Sequence, residues 1–150
     1  MYERILVPFD GSATAARGLA EAIKLGQLTH ARLRLIHVVD ELSFSLAAGE
    51  GLTFSGDLLN MLREGGAAIL AEGAASANAA GLDVDTVLKD SFAGRVCDLV
   101  VAEAGSWPAD LIVLGTHGRR GVGRMLTGSD AEAIVRSAPI PVLLIRANQS

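Results

Sequence analysis

Five short apolar runs, alternating with stretches of helical character, constrain this chain more than any other feature. They read RILVPF (4–9), LRLIHVV (33–39), VDTVLK (84–89), DLIVL (110–114) and PVLLI (141–145). Most are apolar at consecutive rather than alternate positions, the pattern of a strand buried on both faces. Between them lie four helical stretches. The first runs from Ala13 to about Gly26, and the second is long, rich in Ala and Leu, capped by Ser55 and ends near Gly81. The third covers 90–105 with Val96, Val100, Val101 and Ala104 on one face, and the fourth covers 131–137. Parallel neighbours need a crossover, and each crossover lays a helix over the sheet. The pattern predicts an open α/β fold, a parallel sheet with helices on both faces.

With 150 residues, half of them hydrophobic, the chain is expected to form one domain over 1–150. A net charge of −4 and a pI near 5.3 argue against nucleic acid or an anionic membrane as the partner, because phosphate contacts need a basic face. Cys97 is the sole cysteine, which excludes an intramolecular disulfide, and on an apolar helix it reads as buried and inert. The apolar run near the N-terminus is too short for a signal-peptide core or a membrane span, so a cytoplasmic location is expected. The segment 40–56 mixes glycines and serines with Phe44 and Phe54, fits no element, and reads as a flap over a site.

Two loops have the address at which open α/β sheets bind ligands, beyond the carboxyl ends of the strands. One is PFDGS after the first strand. The other, GTHGRRGVGRMLTGSD (115–130), follows the fourth strand and holds five glycines and three arginines. Glycines let backbone N–H groups converge on an anion. The helix that begins at Ser129 adds unpaired N–H groups and the positive end of its dipole. Arg119, Arg120 and Arg124 bring local positive charge to an acidic chain, and together these features point to a phosphate.

The spacing Gly115, two residues, Gly118, nine residues, Gly128, Ser129 resembles the nucleotide-binding signature of the universal stress protein family. The resemblance extends to ILVPFDGS, LRLIHVV and APIPVLLI, and so covers nearly the whole chain. It implies a Rossmann-like, adenine nucleotide alpha hydrolase-like sheet in the order 3-2-1-4-5, with both loops on one crevice. It further implies an ATP site. Pro8 and Asp10 would lie at the nucleotide, Asp10 near the ribose or joined through water to a phosphate-bound divalent ion such as Mg2+. His37 and Val38 would meet the adenine through backbone groups. Gly115, His117, Gly118 and Arg119 would line the ribose and phosphates, and Gly128, Ser129, Asp130 and Ala131 would hold the phosphate tail. The family also implies a homodimer through strand 141–145 and a role as a stress-response regulator or sensor.

Structural alternatives stand beside these assignments. SDAE (129–132) is also a capping box, and an early Asp130 suits the helix dipole while repelling phosphate. Asp10 can equally cap the first helix. His30, His37 and His117 show no metal-ligand spacing, and Trp107 reads either as packing over the preceding helix or as a contact surface. No GxxxxGK[ST] segment is present, so hydrolysis of ATP is expected to be weak at most, with no dedicated catalytic residue. A receiver domain would need paired acids after the first strand and a Lys after the last, and a dinucleotide enzyme would need GxGxxG after the first. The remaining rival is a dimeric interaction scaffold of the same fold that binds no nucleotide.

Overall fold

The computed structural model describes residues 1–39, 56–90, 94–116 and 128–146. Strands β1 (Arg4–Pro8), β2 (Arg32–Val39), β3 (Val84–Asp90), β4 (Leu111–Thr116) and β5 (Val142–Arg146) alternate with helices α1 (Ala13–Thr29), α2 (Gly56–Ala79), α3 (Val96–Ser106) and α4 (Gly128–Ser137). The sheet is parallel, in the order 3-2-1-4-5, as the resemblance implies. The direction of winding reverses between β1 and β4.

The apolar runs divide by parity. Ile5, Val7, Phe9, Leu33, Leu35, Leu111 and Val113 pack under α1 and α2, while Leu6, Ile36, Val38, Ile112 and Leu114 pack under α3 and α4. Ile5, Leu6 and Val7 are wholly buried. Each contributes about 2 kcal/mol of transfer free energy, which lets five residues hold the centre of the sheet. Asp110 registers the central pair: its carboxylate accepts from the N–H groups of Glu3 at 2.8 Å and Arg4 at 3.2 Å, and its own N–H donates to the Arg4 carbonyl.

On the α3 side, Arg34 of β2 joins three elements. Its guanidinium grips Asp85 of β3 through Nε and Nη2, at 2.6 and 3.0 Å, and meets the buried Glu103 of α3 at 2.6 Å through Nη1. The same group lies 4.7 Å from the centroid of the Trp107 ring. A buried carboxylate is tolerated here because a planar donor satisfies it from a fixed direction. These hydrogen bonds also hold the Arg34 pKa above its ordinary value, against the opposing effect of burial. Trp107 thus packs against α3 and its core, one of the two roles its sequence position allowed.

The third helix is shorter than expected. β3 stays paired to β2 as far as Val39↔Asp90, and α3 starts at Val96, because the ladder holds the chain extended through Asp90. The buried face of α3 is Cys97, Val100, Glu103 and Ala104, with Val96 beside it and Val101 only half-buried. Cys97 is buried, as expected. Ser55, assigned as the cap of α2, lies outside the described residues.

Helix α1 approaches β4 backbone to backbone. A Cβ on Gly18 would come within 2.6 Å of the Gly115 nitrogen, and a Cβ on Gly115 would overlap the Thr14 carbonyl oxygen. Backbone atoms cannot swing aside as side-chain ends can, so overpacking here displaces a whole element. Gly115→Ala is expected to lower stability by about 2–3 kcal/mol, measured by urea unfolding, and Gly65→Ala, where a Cβ meets nothing within 4 Å, is expected to be neutral or stabilising. Equal effects of the two substitutions would contradict the close contact.

Candidate functional site

The carboxyl ends of β1 and β4 face the crevice where the winding reverses, the place at which such sheets bind ligands. β1 ends at Pro8, so this residue, assigned to the nucleotide, forms the last rung opposite Ile36. The next peptide is held from both sides: the Phe9 N–H donates to the Ile36 carbonyl at 2.8 Å, and the Phe9 carbonyl lies 3.0 Å from His37 Nδ1. A carbonyl only accepts, so this contact assigns the proton to Nδ1 and leaves Nε2 as the acceptor of a neutral ring.

Asp10 follows. Its Oδ1 accepts from the Ser12 N–H at 2.9 Å, an Asx turn that brings Ser12 into the capping position. Ser12 Oγ then accepts from the Ala15 N–H at 3.1 Å. The helix cap is therefore Ser12, and Asp10 is free of that duty. Its second oxygen, Oδ2, is buried and meets no hydrogen-bond partner among the described residues. Gly11 permits the turn with φ +79°. A carboxylate oxygen without a donor is costly to bury, and a ligand with a hydroxyl or N–H donor would relieve it.

His37 is buried beneath α2, where a Cβ on Gly66 would stand 2.8 Å from its Cδ2. Burial pushes its pKa below the ordinary value of 6.5, against the smaller opposing effects of the Phe9 carbonyl and the Asp10 charge. The ladder alternates along β2. Since the Ile36 carbonyl points to β1, the His37 backbone points to β3 and the Val38 backbone points back to the β1 side, past the end of that strand. Of the two residues assigned to an adenine, Val38 thus offers its peptide edge to the crevice, and His37 offers a side chain that braces Phe9.

At β4, Gly115 has a reason to be glycine that involves no ligand, its contact with α1. α4 takes in Gly128, so Ser129 stands inside the first turn rather than ahead of it, and Glu132 Oε1 meets Arg136 at 2.6 Å. Ser129 is exposed, Asp130 half-buried, and Ala131 buried against the core, which leaves the Ala131 backbone as its means of meeting a ligand. His117, Gly118 and Arg119, with Arg120, Arg124 and residues 40–55 of the expected flap, lie outside the described residues, and Gly56 of that segment begins α2. Among the described residues there is no cluster of metal-ligating side chains, and no helix is long and apolar enough to cross a membrane.

Sequence reasoning missed the brace from His37, whose partner is remote in the chain, and the close approaches at Gly18, Gly66 and Gly73. A signal existed for the glycines. Gly is unfavourable inside helices, and the structure shows which helical glycines pack closely, Gly18, Gly66 and Gly73, and which do not, Gly65 and Gly105.

Known proteins share this fold. The model of the universal stress protein family matches residues 1–146. The chain belongs to that family. A universal stress protein of Methanocaldococcus jannaschii, MJ0531, is 32% identical over 147 residues, covering 97% of this chain and 83% of the relative. A solved structure of a family member from Burkholderia pseudomallei is 31% identical, covers 97% of each chain and superposes with a TM-score of 0.75. Two more distant members share the fold. A universal stress protein in complex with cAMP is 23% identical, with a TM-score of 0.70 and coverage of 98% and 99%. An Arabidopsis thaliana member with AMP bound is 17% identical, with a TM-score of 0.67 and coverage of 97% and 92%.

The depressed His37 pKa has a consequence for this universal stress protein. As pH falls, the unfolded chain takes up a proton at His37 before the native state does. The stability contributed by neutral His37 is whole above 6.5 and is lost as pH falls from there toward the native value. The thermal midpoint should therefore drop more for the natural protein than for His37→Asn between about pH 7.5 and about pH 5. Parallel declines would assign the pH dependence to other groups.

Proposed function

We propose that this universal stress protein binds an adenine nucleotide, ATP, in the crevice between β1 and β4, and acts as a homodimeric stress-response regulator or sensor. The observation that carries the reading is Asp10 Oδ2, a buried acceptor with no donor among the described residues. It suits a sugar hydroxyl and repels phosphate, so the nucleoside end of the ligand belongs at β1. The phosphates then extend toward the first turn of α4, whose N–H groups and dipole suit an anion. A base edge fits against the Val38 peptide. The glycine and arginine pattern of 115–130 agrees with this direction, and the AMP and cAMP carried by two structural neighbours are ligands of the same chemistry.

Mg2+ bound to the phosphates would offset the Asp130 charge in the first turn of α4, and Asp10 would reach such an ion through water. The chemistry is that of binding, with hydrolysis weak at most, and no residue is assigned a catalytic role. A cytoplasmic location fits the reading.

The test is the nucleotide content of the protein as purified, released by denaturation and identified by mass, followed by calorimetric titration of the emptied protein with Mg-ATP. Stoichiometric nucleotide or micromolar binding supports the site. Asp10→Asn, which puts an amide donor where an acceptor is needed, should weaken ATP binding about tenfold or more. No nucleotide and no binding would favour the scaffold reading, which the packing role of Gly115 also suits.

The dimer is proposed through β5. This edge strand leaves Leu143 and Leu144 40% and 44% exposed, with Val135 of α4 at 46%. An exposed apolar edge invites pairing with a second copy. Leu144→Lys should yield a monomer by sedimentation while retaining ATP binding, and a dimer that survives this change would place the interface elsewhere.

A further inference from the structure

The end of β1 is cut short by a side chain. In a parallel ladder, the rung after Phe9 N–H to Ile36 carbonyl would run from the Val38 N–H to the Phe9 carbonyl. Among the described residues that rung is not made: the carbonyl faces His37 Nδ1 at 3.0 Å instead. The imidazole can do this because it is clamped. Gly66 lets α2 approach its Cδ2 edge and Leu88 lies beside the same glycine, while Phe9 is itself pressed under Gly73. His37 thus holds the Phe9 peptide, from which the Asp10 turn departs, and leaves the Val38 N–H and carbonyl directed past β1 into the crevice.

We propose that His37 is the positioning residue of the nucleotide site: by taking the Phe9 carbonyl in place of the Val38 N–H, it holds open the peptide edge that reads the base. The inference rests on the nucleotide reading above and adds a role for a side chain that touches no ligand. The electrostatic surroundings leave the ring neutral near physiological pH. Asp10 is the charged group that acts on it. The neutral ring serves because its Nδ1–H is the donor the Phe9 carbonyl requires.

The test compares His37→Asn, His37→Gln and His37→Leu in the full chain. The Asn amide nitrogen overlays Nδ1 and keeps a donor at that place, Gln puts its donor where Nε2 stands, and Leu has none. Two measurements are made on each: amide exchange of Val38 without nucleotide, and ATP affinity by calorimetry. The natural protein and His37→Asn should show fast Val38 exchange and similar affinity. In His37→Leu the missing rung should close, with Val38 exchange slowed about tenfold or more and ATP binding weakened about tenfold. The thermal midpoint should stay within a few degrees, and Gln should behave as Leu does.

A structural role alone would make affinity follow stability across the series and would not favour Asn over Gln. The inference is overturned if Val38 exchanges as slowly in the natural protein as in His37→Leu, or if His37→Leu binds ATP unimpaired. If the natural protein binds no ATP, the nucleotide reading fails, and the exchange comparison still decides whether His37 holds the strand end open.

Discussion

Helix α1 lies with its backbone against that of β4, and the crevice owes its shape to that contact. Gly18 and Gly115 remove the two side chains that would separate the elements, so the start of α1 settles directly over the point where the sheet reverses. The Asp10 turn and the Ser12 cap are carried there with it. A glycine assigned in sequence to a ligand thus also serves the packing of α1 on β4.

Two kinds of interaction divide the work. The centre of the sheet is held by apolar burial, which is strong and undirected, and Ile5, Leu6 and Val7 need no polar help. The β3 side is held by directed contacts. Arg34 binds Asp85 and Glu103 while lying over Trp107, and Arg63 bridges α2 to Asp90. Ion pairs add little net stability when apolar replacements would pack as well, but they fix position. They set the edge strand β3 at a defined distance from β2 and α2.

Much of this was legible in the chain. Unbroken apolar runs separated by helical stretches revealed the sheet and its two covered faces, because burial on both faces leaves no polar alternation to hide. The order of strands came from likeness to a family, since periodicity does not say which strands are neighbours. The limit of the third helix was misjudged by several residues: the ladder to β2 holds Asp90 in a strand, a non-local constraint that local propensity does not carry. Asp10 was equally a cap or a ligand in sequence, and the hydrogen bonds give the cap to Ser12 and leave Oδ2 without a donor among the described residues.

Sequence alone determined the class of fold, the burial of Cys97 and the placing of two loops beyond strand ends, all of which follow from hydrophobic pattern and chain order. Tertiary structure decided the rest, for one physical reason: hydrogen bonds and close contacts join residues far apart in the chain. His37 matters because Phe9 is beside it, Gly66 because His37 is beneath it, and Gly115 because Thr14 crosses over it. Each residue type tolerates many surroundings, and the fold selects the one in which its chemistry is used.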